Sequence, residues 1–345
     1  MSMDEALLME RAGLLYPMDG CKITRVPGHD GGRNTVYILT SAEGTKTVLR
    51  VSELPDRTEA DYLAETDFVH FLAENGAPVA DVLPSVNQRF VERVDRDGRT
   101  AYLCMFSYAA GMLLSDNGYR YREGAPLEEY FFNTGKTLGI IHRLSKRYVP
   151  RYPRMDYREK YNRAYIDGLI PDRFREMKAA IFRRLELINQ LPVNPDVFGM
   201  VHFDFSDGNY HIDMATGRIT VFDFDNCMNC WYMFDLANLW THGEGWCRHI
   251  SNAGERLAYM RHYFDTVLAG YRTQTDVPDV MLTRLPLFID MVLIENIVDE
   301  FECCARNGEL PEDEDIHDAA ECLIANRSSI NLHNSIPEIS FSPEN

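Results

Sequence analysis

Asp204, Asn209 and Asp223 are oxygen-bearing side chains set at a spacing that suits phosphate chemistry. The run His202-Phe-Asp204-Phe-Ser-Asp-Gly-Asn209 is followed, one short hairpin later, by Asp223-Phe-Asp225. Phosphoryl transfer asks for a group that orients and partly deprotonates an acceptor hydroxyl, and for hard oxygen ligands to a divalent cation on the phosphates. Asp204, just past an apolar strand, would face the hydroxyl; Asn209, returning across the loop, would offer a neutral amide oxygen to Mg2+; Asp223, ending the next strand, would supply the charged ligand. A single Asp at a strand end more often caps a turn. The three together, with a hairpin folding the chain back between them, read as a catalytic loop and a metal site.

A triphosphate needs further support. Gly28, Gly31 and Gly32 lie in a loop entering a strand, where backbone amides can approach phosphate oxygens. Taken alone this is an ordinary flexible turn, since it lacks the spacing of a protein-kinase glycine loop or of a P-loop. Arg50, on the next strand but one, and Glu65, on the helix after it, could form an ion pair that places a cation over the phosphates. As isolated residues they read as surface groups.

The elements that must position these groups follow from pattern. Residues 35–40 and 46–51 are β-rich runs joined by a hairpin turn, and a helix over 58–75 is marked by Ala64, Phe68, Phe71 and Leu72 and stopped by Gly76 and Pro78. Two further strands are expected at 88–94 and 100–106 around Asp95-Arg-Asp-Gly98. Beyond residue 111 the pattern turns helical, at 125–146, 172–190, 252–273, 282–306 and 312–327, interrupted by a β island over 199–224.

Composition bounds the rest. A chain of 345 residues, 45% hydrophobic, is ample for two lobes with sizeable cores. Thirty-five Lys and Arg against 53 Asp and Glu leave a net charge of −18, which opposes nonspecific attraction to nucleic acid or anionic membranes and suits a small neutral or cationic partner. The first residues, Met1-Ser-Met-Asp-Glu-Ala, lack the basic segment and long apolar run expected of a secretory signal, and no apolar run is long enough to span a membrane. Eight scattered cysteines resemble cytosolic thiols, so a cytoplasmic location is expected. Cys227-x-x-Cys230 lacks the second Cys/His pair of a zinc site. The sequence leaves oligomeric state undetermined.

With these residues in order, the sequence resembles the aminoglycoside phosphotransferase and choline kinase family. The resemblance runs from the glycine-containing loop before Thr35-Val-Tyr, through Thr47-Val-Leu-Arg-Val51, Glu65, Gly139-Ile-Ile-His142 and the catalytic loop, to Asp223-Phe-Asp225 and Phe234-Asp-Leu-Ala237. It implies an α+β, bilobal, protein-kinase-like fold: a nucleotide-binding lobe with a small antiparallel sheet and one helix over 1–106, and a mainly helical lobe carrying the catalytic loop over 107–345. It implies a Mg2+-dependent phosphotransferase using ATP or GTP. Asp204 would be the base, Asn209 and Asp223 the metal ligands with Asp225 a second acid nearby, and Arg50 with Glu65 the triphosphate-positioning pair. His202 and Asp235 would brace the loop, and the hinge that meets the base would fall at Met105 and Ser107. The acceptor would be a small alcohol, cationic in several relatives, met by Trp231, Glu295 and Asp299. Two residues depart from the pattern, Phe203 where many relatives have Gly and Arg50 where many have Lys. A protein Ser/Thr kinase and a nucleotide-binding pseudokinase are the competing readings; the first lacks an activation-segment motif and the second is disfavoured by the retained Asp204, Asn209 and Asp223.

Overall fold

The computed structural model describes residues 3–28, 33–96, 98–306 and 308–325. The chain opens with helix α1 (Met3–Leu15) and strands β1 (Lys22–Arg25), β2 (Thr35–Thr40) and β3 (Lys46–Ser52), followed by helix α2 (Glu59–Glu74) and strands β4 (Val82–Leu83), β5 (Glu92–Arg96) and β6 (Arg99–Ser107). The strands form one antiparallel sheet in the order β1-β2-β3-β6-β4, with β5 also on β6. Strand alternation gives the sheet two different faces. Leu49, Val51, Leu103 and Met105 join Leu8, Ala12 and Tyr16 in a core beneath α1. Arg50, between Leu49 and Val51, therefore points to the opposite face, as does its register partner Cys104, which packs with Tyr62 of α2. Helix α2 starts on Thr58, whose backbone N–H and hydroxyl both donate to Asp61, and stops at Gly76 with φ 81°.

The chain continues with helices α3 (Leu127–Ser145), α4 (Tyr157–Lys160), α5 (Arg163–Leu169) and α6 (Arg175–Ile188), then strands β7 (Phe198–Val201), β8 (Tyr210–Ile212), β9 (Ile219–Val221) and β10 (Met228–Trp231). Helices α7 (Tyr232–Cys247), α8 (Ala253–Arg272), α9 (Asp279–Leu282), α10 (Leu285–Arg306) and α11 (Asp313–Ala325) complete it. Helices α3 and α8 pack closely because Gly135 faces the Val267 carbonyl and Gly270 faces that of Phe132, leaving no room for a Cβ. The architecture is α+β: an antiparallel sheet toward the N-terminus and helices toward the C-terminus. No helix among the described residues is long and apolar enough to cross a membrane.

Contacts divide the chain into two compact units that exchange segments. The first holds 1–116, 148–154 and 210–225, and the second holds 117–147, 155–209 and 226–345. The β island is accordingly two separate ladders. β8 and β9 pair with each other and join the first unit through bridges from Val79 to Val221 and from Met112 to Ile212. β7 pairs instead with β10, in the second unit.

Local expectations are revised in two ways. The strand expected at 88–94 begins only at Glu92, because Gln88 takes φ 59° in a turn closed by Ser85 N–H on the Arg89 carbonyl. Helices α1, α4, α5, α7 and α9 are additions to the expected set. α7 is buried almost all round from Tyr232 to Trp240, so no amphipathic period marks it.

Candidate active site

In the first unit, β3 and α2 bring Arg50 and Glu65 together. The guanidinium donates Nη1 to Glu65 Oε1 at 2.7 Å and Nη2 to Oε2 at 2.6 Å, a two-pronged contact with both groups buried. Burial works against the charge on Arg50, yet the Glu65 carboxylate outweighs it and holds the guanidinium pKa above its ordinary value. Arg50 Nη1 also stands 3.7 Å from Asp223 Oδ1. Asp223 follows β9 with φ 62°, a left-handed conformation disfavoured for a residue bearing a Cβ, and its carboxylate is 44% exposed. Phe224 points the other way and packs edge-on against Phe68 of α2 at 6.0 Å. Asp225 accepts from Asn34 Nδ2 at 2.9 Å, and its main-chain carbonyl accepts from Arg154.

In the second unit, Asp235 near the start of α7 organises the loop after β7. Its carboxylate accepts from the His202 and Phe203 backbone N–H groups, both at 2.9 Å, and lies 3.0 Å from His142 Nε2. His142 is wholly buried, its other ring nitrogen meets the Tyr271 hydroxyl at 3.0 Å, and burial lowers its pKa, so a neutral imidazole donates to Asp235 and accepts from Tyr271. His202 Nδ1 accepts the Asp204 backbone N–H at 3.3 Å. Asn209 then closes the loop, its amide nitrogen donating to the Asp204 carbonyl at 2.9 Å and to Oδ2 at 2.8 Å. This leaves the amide oxygen as the atom Asn209 can offer a cation.

Phe203 has φ 73°, a left-handed conformation that favours glycine over a residue bearing a Cβ. The strained backbone is held by Asp235 on its N–H and by Asn238 Nδ2 on its carbonyl at 2.9 Å. The ring stacks on Phe234 at 4.2 Å and 4°.

On α10, Glu295, Asp299 and Glu302 recur at one-turn spacing on one side. Glu302 pairs with Lys160 at 3.1 Å and accepts from the Tyr165 hydroxyl. Burial, then Asp299, push Glu295 up to about 8 against the opposing pull of Lys160; Asp204 and Glu302 add to the rise. Tyr157 and Tyr161, stacked at 4.3 Å, have buried hydroxyls without a hydrogen-bond partner. Both phenols feel the charge of Glu295.

The remaining expected residues are placed as follows. Trp231 is fully buried, donating Nε1 to the Pro192 carbonyl at 2.7 Å and packing on Phe198, so it presents no ring face to a ligand. Met105 points into the core beneath α1, and the Ser107 N–H donates to the Asp81 carbonyl at 2.8 Å. Gly31 and Gly32 lie outside the described residues. Sequence reasoning passed over Asn34, Ser52, His142, Arg154, Lys160, Tyr157, Tyr161 and Asn238 as site residues. Of these, His142 stood in the Gly139-Ile-Ile-His142 run, and Asn34 was the polar residue ending the glycine-rich stretch before β2.

Among the described residues no three His, Cys, Asp or Glu side chains gather closely enough to hold a metal by themselves. Asp223 and Asp225 in the first unit, and separately Asn209 in the second, carry the oxygen donors that a hard divalent cation prefers.

Amicoumacin kinase of Bacillus subtilis (strain 168) is 25% identical over 246 residues, which covers 70% of this chain and 70% of that protein. A solved amicoumacin kinase in complex with AMP-PNP, Ca2+ and Ami has the same fold, with TM-score 0.78 at 22% identity over 94% of this chain and 95% of that one. A microcompartment-associated aminopropanol kinase gives TM-score 0.66 at 19% identity, with 94% and 95% covered. Residues 24–273 match the phosphotransferase enzyme family, well over half of the chain, and the chain belongs to that family.

Proposed function

We propose that the protein transfers the γ-phosphoryl group of ATP or GTP, carried as its Mg2+ complex, to a hydroxyl of a small molecule that also bears an amine. The observation that carries this is the buried Arg50–Glu65 pair beside the exposed Asp223 carboxylate, 3.7 Å from the guanidinium. Arg50, held rigid by Glu65, supplies a fixed cation for phosphate oxygens. Asp223, Asp225 and the Asn209 amide oxygen would hold Mg2+, which when bound neutralises charge on the phosphates. Asp204 orients the acceptor hydroxyl and takes its proton as the bond to phosphorus forms. The Asn209 amide, donating to Asp204 at 2.8 Å, holds that carboxylate in one rotamer. His202 and Asp235 keep the loop in register through backbone bonds.

Support for an amine-bearing acceptor comes from the acidic side of α10. Glu295 feels the like charge of Asp299, Asp204 and Glu302 against the opposing charge of Lys160. An ammonium group next to Glu295 would relieve that repulsion and restore its ionised form. A nucleoside triphosphate as co-substrate suits the cytoplasm.

The test is nucleotide turnover measured with a panel of amino alcohols, amino sugars and their amine-free diols, with and without Mg2+. Acceptor-dependent ADP or GDP release is the expected result, with Asp204→Asn lowering it by about 10²- to 10⁴-fold. Turnover that ignores both the acceptor and Asp204→Asn would overturn the reading.

A further inference from the structure

Two neighbouring positions on one side of β3 address the two acids of Asp223-Phe-Asp225 in different ways. Arg50 and Ser52 are two residues apart on the strand and so face the same way. Arg50 reaches Asp223 directly at 3.7 Å, whereas Ser52 works through Asn34. The Ser52 hydroxyl, 1% exposed, donates to Asn34 Oδ1 at 2.6 Å, and Asn34 Nδ2 donates to Asp225 Oδ2 at 2.9 Å. An amide side chain has one accepting and one donating end. By occupying the oxygen, Ser52 turns the amide nitrogen toward Asp225.

Asp225 is thereby held at two points. Its carboxylate is gripped by Asn34, and its main-chain carbonyl by Arg154, whose Nη1 donates to the Asp61 carbonyl of α2 at 2.9 Å. With Oδ2 committed to Asn34, Oδ1 is the oxygen that can turn to a cation. We propose that Asn34, aligned by Ser52, is a positioning residue that sets the Asp225 carboxylate for the divalent cation. Hydrogen-bond partners of metal-binding carboxylates fix their orientation, and removing one commonly costs about 10- to 100-fold in metal affinity. The inference rests on reading Asp223 and Asp225 as cation-holding groups, and it assigns to the loop before β2 a part in metal binding that neither charge nor glycine content marks.

The experiment is calorimetric titration of the full chain with AMP-PNP, in a Mg2+ series and again in EDTA, for wild type, Asn34→Ala and Ser52→Ala. The expected result for Asn34→Ala is a fall of about tenfold in Mg2+ affinity, with nucleotide affinity in EDTA unchanged. Ser52→Ala, which keeps Asn34 but releases its orientation, gives a smaller loss in the same direction. Ser52→Ala also decides the case if Asn34→Ala fails to fold. Either variant folding with a normal melting curve and wild-type Mg2+ affinity overturns the proposal. An equal loss in EDTA and in Mg2+ overturns it too, since that is the mark of a general packing defect. Wild-type binding that ignores Mg2+ would take down the phosphotransfer reading together with this one.

Discussion

The carboxylates of the first unit and those along α10 in the second are satisfied to very different degrees. Glu65 receives two bonds from Arg50, and Asp225 receives one on its side chain and one on its main chain. On α10, Glu295, Asp299 and Glu302 have Lys160 as the cation acting among them, and two stacked tyrosines nearby keep unpartnered buried hydroxyls. A reactant that never changes, such as a triphosphate, can be met by groups already locked in place, because the same geometry serves every turnover. Unbalanced charge along α10 is what the proposed cationic acceptor would complete.

Removing one side of the locked pair should have the largest effect. Glu65→Ala leaves the Arg50 guanidinium buried without its partner and is expected to cost about 3–5 kcal/mol in chemical denaturation. The double replacement Arg50→Met with Glu65→Leu should recover most of that stability while abolishing nucleotide binding. A cheap Glu65→Ala would show that the first unit is less rigidly held than its geometry states.

Phe203 gives an intermediate test, because strain and packing oppose each other there. Phe203→Ala loses the stack on Phe234 and keeps the left-handed Cβ penalty, at an expected cost of about 3 kcal/mol. Phe203→Gly loses the same ring but relieves the backbone, so it should be less damaging by about 1 kcal/mol. Equal costs, measured by urea melts, would mean that φ 73° stores no strain.

The smallest effect should appear on the unsatisfied side. Glu295 is pushed up to about 8 from 4.5, so between those pH values the folded protein keeps a proton that the unfolded chain has released. Stability from this group is therefore present below about pH 4.5 and declines as pH rises through 8. Glu295→Gln keeps the neutral shape and should raise the Tm by about 2–4 °C at pH 8, with no gain at pH 4.5. If the two curves run parallel, Glu295 ionises as an ordinary surface acid.

Legibility in sequence differed along the same divide. Asp204, Asn209 and Asp223 stood out as candidates because metal and base chemistry restrict both residue type and spacing. Arg50 and Glu65 could be found because one strand and one helix fix where they point. Asn34 and Ser52 did not stand out because the hydrogen bonds that link them to Asp225 join residues far apart in sequence. Trp231 misled because an aromatic residue after a metal strand suggests a ligand face, whereas here it fills the core beside Phe198. Helix α7 was concealed by its own burial, since a helix apolar on every side shows no period.

The exchange of segments between the units has a consequence for biosynthesis. The first unit is completed by 148–154 and by 210–225, which bring the Met112–Ile212 and Val79–Val221 bridges. A nascent chain that has emerged only as far as residue 116 therefore lacks part of its own first unit, along with Asp223 and Asp225. These long-range pairings delay folding until much of the second unit has also been synthesised, so the two must mature together and no single cut would yield two self-sufficient fragments.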